Sequence, residues 1–196
     1  MNFKKMREYS HEEFVELVQS LSEEELLELV NKFGGTPVLY RMAFDERICH
    51  VPIIQTGSAI IIINSNNQIL LQERMDNGRW GLPGGCQDLG EDLRDTAVRE
   101  AYEETNIKLD RDSLILIDNI SGNSRKRSYP NTDIVYNNTS LYLAQINDEQ
   151  LKDMRWDSES KRLEFFDLDK LPENQHDEDL VDAYKKYLQI NTKRHL

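Results

Sequence analysis

Residues 81–85 read Gly-Leu-Pro-Gly-Gly, three glycines in five positions, and the chain then turns into a helical pattern carrying Arg99-Glu100 and Glu103-Glu104. No other segment narrows the possible folds as much. Glycines at this density let a backbone approach a ligand or a neighbouring strand directly. In a helix from about Asp92 to Thr105, Glu100, Glu103 and Glu104 stand at i, i+3 and i+4 and converge on one surface. Three unpaired carboxylates there repel one another and destabilise the helix. A divalent cation among them removes the conflict, and carboxylate oxygens as ligands point to Mg²⁺ or Mn²⁺ rather than zinc. Arg99, four residues before Glu103, is placed to hold that carboxylate in one rotamer. Opposite them, Leu93, Ala97 and Ala101 form a narrow stripe that lets the helix sit close to a sheet. Glutamates alone carry little weight: Glu23-Glu24-Glu25 reads as a solvated face.

Strand-like sequence surrounds this segment. The apolar runs 59–63 and 69–72 flank Asn64-Ser65-Asn66-Asn67 and predict a hairpin. Residues 114–117, 134–136, 140–145 and 163–166 are further strand candidates, and 179–190 predicts a closing helix with Leu180, Ala183, Tyr184, Tyr187 and Leu188 on one face. This alternation predicts an α+β or α/β fold with one mixed sheet. Ahead of it, Ser10 with Glu13 and Ser22 with Glu25 fit capping boxes. They open a helical hairpin with Phe14, Leu17, Val18 and Leu21, then Leu26, Leu29, Val30 and Phe33, as its apolar stripes and Gly34 as its stop. Such a pair must bury its stripes, on the main domain or in a homodimer. The expected organisation is a hairpin over 1–35, an extended connector over 36–57, the main domain over 58–190 and a tail over 191–196.

Charge limits the partners. Lys and Arg number 24 against 36 Asp and Glu in 196 residues, a net charge of −12. Sequence-independent binding of nucleic acid needs a basic footprint, so nucleic acid is an unlikely partner. A small polyanion remains accessible where cations bridge it to carboxylates. The two cysteines, Cys49 and Cys86, and the four histidines show no zinc-ligand spacing, and Cys49-His50 reads as an ordinary thiol beside an ordinary histidine. The first ten residues lack the apolar core of a secretory signal, and the longest apolar run, 59–63, is too short for a membrane span, so a soluble cytoplasmic setting is expected.

The stretch 85–107 resembles the Nudix box, G-x5-E-x7-R-E-U-x-E-E-x-G-U with U apolar. Gly85, Glu91, Arg99, Glu100, Glu103 and Glu104 match its six fully specified positions ahead of the last, with Ala101 and Ile107 at U positions. Six matches at about 0.07 each arise by chance in ~10⁻⁷ of windows. Asn106 stands in place of the second glycine, and Asn is the next-best residue for a left-handed cap after a helix. Gln72-Glu73-Arg74 and the run 78–85 are similar to the family's lead-in. Leu163-Glu164-Phe165-Phe166 and Asp169-Lys170-Leu171-Pro172 are similar to its closing strand and turn. The resemblance implies a Nudix-like α/β/α sandwich with a mixed sheet, preceded here by the helical hairpin.

It also implies Mg²⁺-dependent hydrolysis of a phosphoanhydride in a nucleoside diphosphate linked to another moiety, with Mn²⁺ as a substitute cation. Glu100, Glu103 and Glu104 would be the metal ligands with the Gly85 carbonyl, and Glu91 and Arg99 their supports. The general base would be Glu100, Glu104 or a later acid, for which Glu159 is the loop candidate and an exposed surface acid the rival reading. Arg74, Arg125 and Arg127 could meet phosphates, and Trp80 and Tyr129 could stack on a base, although solubility and core packing account for such residues too. No coenzyme A signature is visible, the first proline after the box is Pro130, and the tyrosine of dinucleoside-polyphosphate hydrolases is not seen. These absences favour a nucleoside triphosphate or another small nucleotide. The competing class is a catalytically decayed nucleotide-sensing module on the same fold; six intact box residues favour the enzyme.

Overall fold

The computed structural model describes residues 53–128 and 134–194, with isolated positions between Ser10 and Glu25. Strand β1 (Ile53–Ile63) shows why its sequence is apolar without alternation. Ala59, Ile61 and Ile63 enter one cluster with Leu141, Leu143, Trp80, Leu180 and Tyr184, while Ile60 and Ile62 enter another with Ala97, Ala101, Ile107 and Tyr142. Side chains alternate across a strand, so one buried on both faces is the middle layer of three. Each fully buried Ile contributes roughly 1.5–3 kcal/mol.

β1 runs parallel to β7 (Ile134–Gln145) from Ile53↔Val135 to Ile63↔Gln145. β2 (Ile69–Arg74) pairs antiparallel with β1, with β3 (Trp80–Gly81) and with β8 (Ser160–Phe166), and β5 (Ile115–Ile120) pairs antiparallel with β7. Two short strands, β4 (Gly84–Cys86) and β6 (Lys126–Ser128), pair with the early ends of β1 and β7. Among the described residues the result is a mixed sheet of eight strands. Its β1–β2 turn is closed by Asn64, whose Oδ1 accepts from the amides of Asn66 and Gln68 at 3.0 Å each, and by left-handed Asn67.

Helix α1 (Leu93–Thr105) starts on Asp92, which accepts from the Arg94 and Asp95 amides at 2.8 and 3.0 Å. It ends on Asn106 at φ 58°, whose amide donates to the Tyr102 carbonyl at 2.8 Å, so asparagine does adopt the cap expected of it. Ala97 and Ala101 are fully buried under it, as their size suggests. A short α2 (Asp148–Leu151) follows β7, and α3 (Glu178–Arg194) covers the opposite face. The expected α/β/α sandwich is thus the fold.

Some boundaries differ from expectation. Residues 53–57 of the expected connector already belong to β1, and residues 191–194 of the expected tail continue α3. The segments 134–136 and 140–145 are one strand, because polar Asn137, Asn138 and Thr139 pair with β1 as fully as their neighbours do. β3, β4 and β6, two or three residues each, carry no pattern that a sequence period could show. Both amino-terminal capping boxes form: the Ser10 amide donates to Glu13 Oε2 at 2.8 Å and the Glu13 amide to Ser10 Oγ at 3.1 Å, with the same exchange between Ser22 and Glu25. The stripe from Phe14 to Phe33 (apart from Leu21), Gly34 and the Cys49-His50 pair lie outside the described residues.

Candidate active site

The face of β1 and β7 that carries Ala59 and Leu141 under α3 becomes polar toward the early ends of both strands. There Gln55, Gly57, Asn137 and Thr139 floor a cleft of about 560 Å³. Gly84, Gly85, Glu100, Glu104 and Glu159 line one part of it, and Arg74, Arg125, Arg127, His176 and Asp177 another.

At the first part the glycines are a steric requirement. A Cβ on Gly84, at φ 153°, would lie 2.3 Å from the Ser58 carbonyl oxygen, and one on Gly85 would lie 2.4 Å from Glu100 Oε1. Glu104 is 5% exposed and accepts from the Gly84 amide at 2.8 Å. Burial pushes its carboxyl up to about 8, against hydrogen bonds from Gln72 and Gly84 and with help from the charges of Glu100 and Glu159. Burial also raises Glu100, opposed by Arg99 and reinforced by Glu103 and Glu159.

Arg99 organises the rest. It reaches Glu91 Oε1 through Nε at 2.7 Å, Glu100 Oε1 and Glu103 Oε2 through Nη1 at 2.8 and 3.1 Å, and the Cys86 carbonyl through Nη2 at 2.9 Å. Glu91 also accepts from the Asp88 amide at 3.1 Å and Thr96 Oγ1 at 2.9 Å. Against the upward push of burial, these bonds hold Glu91 below its ordinary range. The expectation of three unpaired carboxylates is therefore corrected, since Arg99 answers Glu100 and Glu103. Glu103 is 55% exposed in its side chain and is not a lining residue of the cleft. Among the described residues no three His, Cys, Asp or Glu side chains form a ready metal cage. What does fit a hard divalent cation is narrower: buried Glu104 and half-buried Glu100 on one helix, both raised by burial, with Glu159 adding to the repulsion on each.

The second part holds the basic candidates. Arg74 makes a two-point pair with Asp76, at 3.0 and 3.1 Å. Arg125, expected as part of an exposed basic cluster, is buried: Nη1 donates to Asp179 Oδ1 at 3.0 Å and to Asp177 Oδ1 at 3.4 Å, and Nη2 to Thr139 Oγ1 at 3.2 Å. Arg127 donates to the Ser124 and Lys126 carbonyls at 3.0 and 3.1 Å. Trp80 does not line the cleft. It is a core residue, edge-on to Phe166 at 4.9 Å, with the Arg162 guanidinium 4.8 Å from its ring centre, which corrects its place as a stacking platform. Tyr129 lies outside the described residues. Glu159 stands exposed on the cleft wall.

Sequence reasoning missed Asp177, His176, Thr139 and Asn137. Asp177 is buried, accepts from the Leu82 amide at 3.2 Å through Oδ2, and offers its carbonyl to the Leu180 and Val181 amides at 3.1 Å each. An aspartate just ahead of a helix is a start signal, but the expected start at Asp179 passed over it.

A family model for the NUDIX domain matches residues 54–187. The chain is 31% identical over 77 residues to a MutT-like protein of Streptomyces ambofaciens, covering 39% of this chain and 50% of that protein. It is 29% identical over 130 residues to an ADP-ribose pyrophosphatase of Methanocaldococcus jannaschii, covering 64% of this chain and 70% of that protein. A crystal structure of a MutT NUDIX hydrolase from Burkholderia pseudomallei superposes with a TM-score of 0.54 at 26% identity, covering 67% of this chain and 96% of the other. The chain thus spans only half the length of the MutT-like relative.

Proposed function

The chain belongs to the NUDIX domain family, and on that premise we propose that it is a divalent-cation-dependent hydrolase that splits a phosphoanhydride bond in a nucleoside diphosphate linked to another moiety. The observation that carries this reading is buried Glu104 and half-buried Glu100 set together against Gly84 and Gly85 in a cleft large enough for a nucleotide. Buried carboxylates are costly unless paired, and Glu104 has no cationic partner among the described residues. Mg²⁺, or Mn²⁺ in its place, would be held by Glu100, Glu104 and the Gly85 carbonyl. Glu103 would complete the set by turning from Arg99 to its helix neighbours. Such a cation, when bound, neutralises phosphate charge and polarises the anhydride.

The chain's own residues do the rest. Glu91 and Cys86 fix Arg99, and Arg99 fixes the rotamer of Glu100. Glu159, exposed on the cleft wall and charged beside Glu100 and Glu104, is the acid placed to accept a proton from the attacking water. Arg74 senses the charges of Asp177 and Glu104 as well as Asp76, which sets it between the two parts of the cleft, where a phosphate next to the scissile bond would lie. A small nucleotide is the substrate class, and the cell interior is where such substrates occur. The name of the Methanocaldococcus jannaschii relative keeps ADP-ribose in view beside nucleoside triphosphates.

A phosphate-release screen with and without Mg²⁺ tests the proposal over nucleoside triphosphates, nucleotide sugars, ADP-ribose, dinucleotides and coenzyme A. Cation-dependent release from at least one class is expected; none from any class would overturn the reading. For the segment 1–34 we propose burial in a homodimer, supported by the two apolar stripes of its sequence. Light scattering should give a monomer after its deletion, and an unchanged mass would dispose of the dimer.

A further inference from the structure

The cleft is longer than a pyrophosphate needs. Gly85 is level with Ser58 on β1, and Ser58 with Ser140 on β7, whereas Arg127 is level with Val135. From 140 to 135 is five residues of strand, ~16 Å at about 3.3 Å each.

The groups at that far end have polar capacity left over. Arg127 is half-buried and tied only to two backbone carbonyls, and among the described residues no carboxylate pairs with it. Arg125, between the two ends, has its Nε buried without a hydrogen-bond partner, and His176 has its Nδ1 in the same state. Burial, with the charges of Arg74, Arg127 and Arg79 behind it and Asp177 opposing, holds His176 below the usual imidazole range. Of the three arginines that line the cleft, Arg74 and Arg127 act on this ring, in a chain of net charge −12. Among the described lining residues there is no Phe, Tyr or Trp to stack on a nucleobase. Guanidinium forks over a polar floor of Gln55 and Asn137 suit a phosphorylated, sugar-like group instead.

We infer that this end of the cleft is a second anion site, with Arg127 as its binding cation beside the unpartnered Arg125 Nε and His176 Nδ1, and that it selects small nucleotides bearing a phosphate on the moiety remote from the scissile anhydride. The selection of substrate rests on the hydrolase reading; the anion site does not.

The experiment has two arms on the full-length chain. In the first, inorganic phosphate is titrated calorimetrically with divalent cations chelated. The native chain binds it, Arg127→Gln weakens binding at least tenfold, and Arg127→Lys recovers part of the loss. Equal binding by the native chain and Arg127→Gln would overturn the site. In the second arm, hydrolysis is compared for ADP-ribose and for ADP-ribose phosphorylated at the terminal ribose. The native enzyme favours the phosphorylated compound at least tenfold in kcat/KM, and Arg127→Gln collapses that ratio. A ratio near one in the native enzyme, or one that survives Arg127→Gln, would overturn the selection. Hydrolysis of neither compound alongside Arg127-dependent phosphate binding would overturn the selection while supporting the anion site, and the wider phosphate-release screen alone decides the hydrolase reading. Displacement of phosphate by a single-stranded RNA more tightly than by mononucleotides would assign the site to a polynucleotide and overturn the small-substrate claim.

Discussion

The two ends of the cleft share a floor and are built in opposite ways. Apart from Glu159, the carboxylate end comes from one continuous stretch, residues 81–86 and helix α1, and among the described residues leaves buried Glu104 without a cation beside it. The arginine end is gathered from β2, from the segment 123–128, from β7 and from the start of α3, and its buried charges are largely answered within the protein. An unanswered buried charge points to something absent, whereas an answered one points to something being held in place. Substitutions at the two ends should therefore fail differently.

The largest effect is expected at the carboxylate end. Glu104→Gln keeps the shape and an oxygen acceptor for the Gly84 amide but removes the anionic charge. The expected result is a loss of about 10³ in kcat, roughly 4 kcal/mol of barrier, with an unchanged circular dichroism spectrum. Glu100→Gln should behave alike. Full turnover in Glu104→Gln would erase the contrast between the ends.

At the arginine end the damage should be to stability. Arg125→Ala leaves Asp177 buried with its Leu82 hydrogen bond but no cation, and strips Thr139 and Asp179 of a partner. Breaking a buried pair from one side costs about 3–5 kcal/mol, and the side chain is 7% exposed, so solvent screening offers little relief. Urea denaturation should show a loss near the lower figure, since Asp179 is itself less deeply buried. A loss below about 1 kcal/mol would mean that the network holds nothing in place.

The same contrast explains what could be read in advance. Residues 85–107 were legible because every functional position falls within one turn or two of its neighbours, where helical spacing dictates geometry. The sandwich was legible because an unbroken run such as 59–63 needs cover on both sides. Arg125 was misjudged as surface because Arg125-Lys126-Arg127 is an ordinary basic run; only the pairing of β6 with β7 and the approach of Asp177 from some fifty residues away bury its first member. Trp80 takes the core role of its two readings, for a related reason. Its position two residues before the loop 82–85 suggests the site, but strand alternation turns its ring to the core and Phe166. Helical spacing puts Arg99 on Glu103, as found; what spacing alone does not show is that the same guanidinium also spans Glu91 and Glu100.

The smallest effect is the one that isolates the missing charge. An unfolded glutamate gives up its proton near its ordinary 4.5, whereas folded Glu104 keeps it up to about 8. The folded state therefore binds the extra proton between those values, and the stability that this provides is full at low pH and is lost as pH rises through the folded pKa. Glutamine imitates the protonated acid at every pH. With divalent cations chelated, the native chain and Glu104→Gln should melt together near pH 5. At pH 8 the native chain should melt several degrees lower, at about 2–4 °C for each kcal/mol in a chain of this size. Using the difference between the two proteins cancels the titration of His176 and the surface acids. Adding Mg²⁺ at pH 8 should raise the native melting temperature and leave Glu104→Gln nearly where it was, because a cation that binds only the folded state stabilises it in proportion to its occupancy. Parallel curves from pH 5 to 8, unmoved by Mg²⁺, would mean that the buried carboxyl is answered from within the protein and that the two ends differ in position alone.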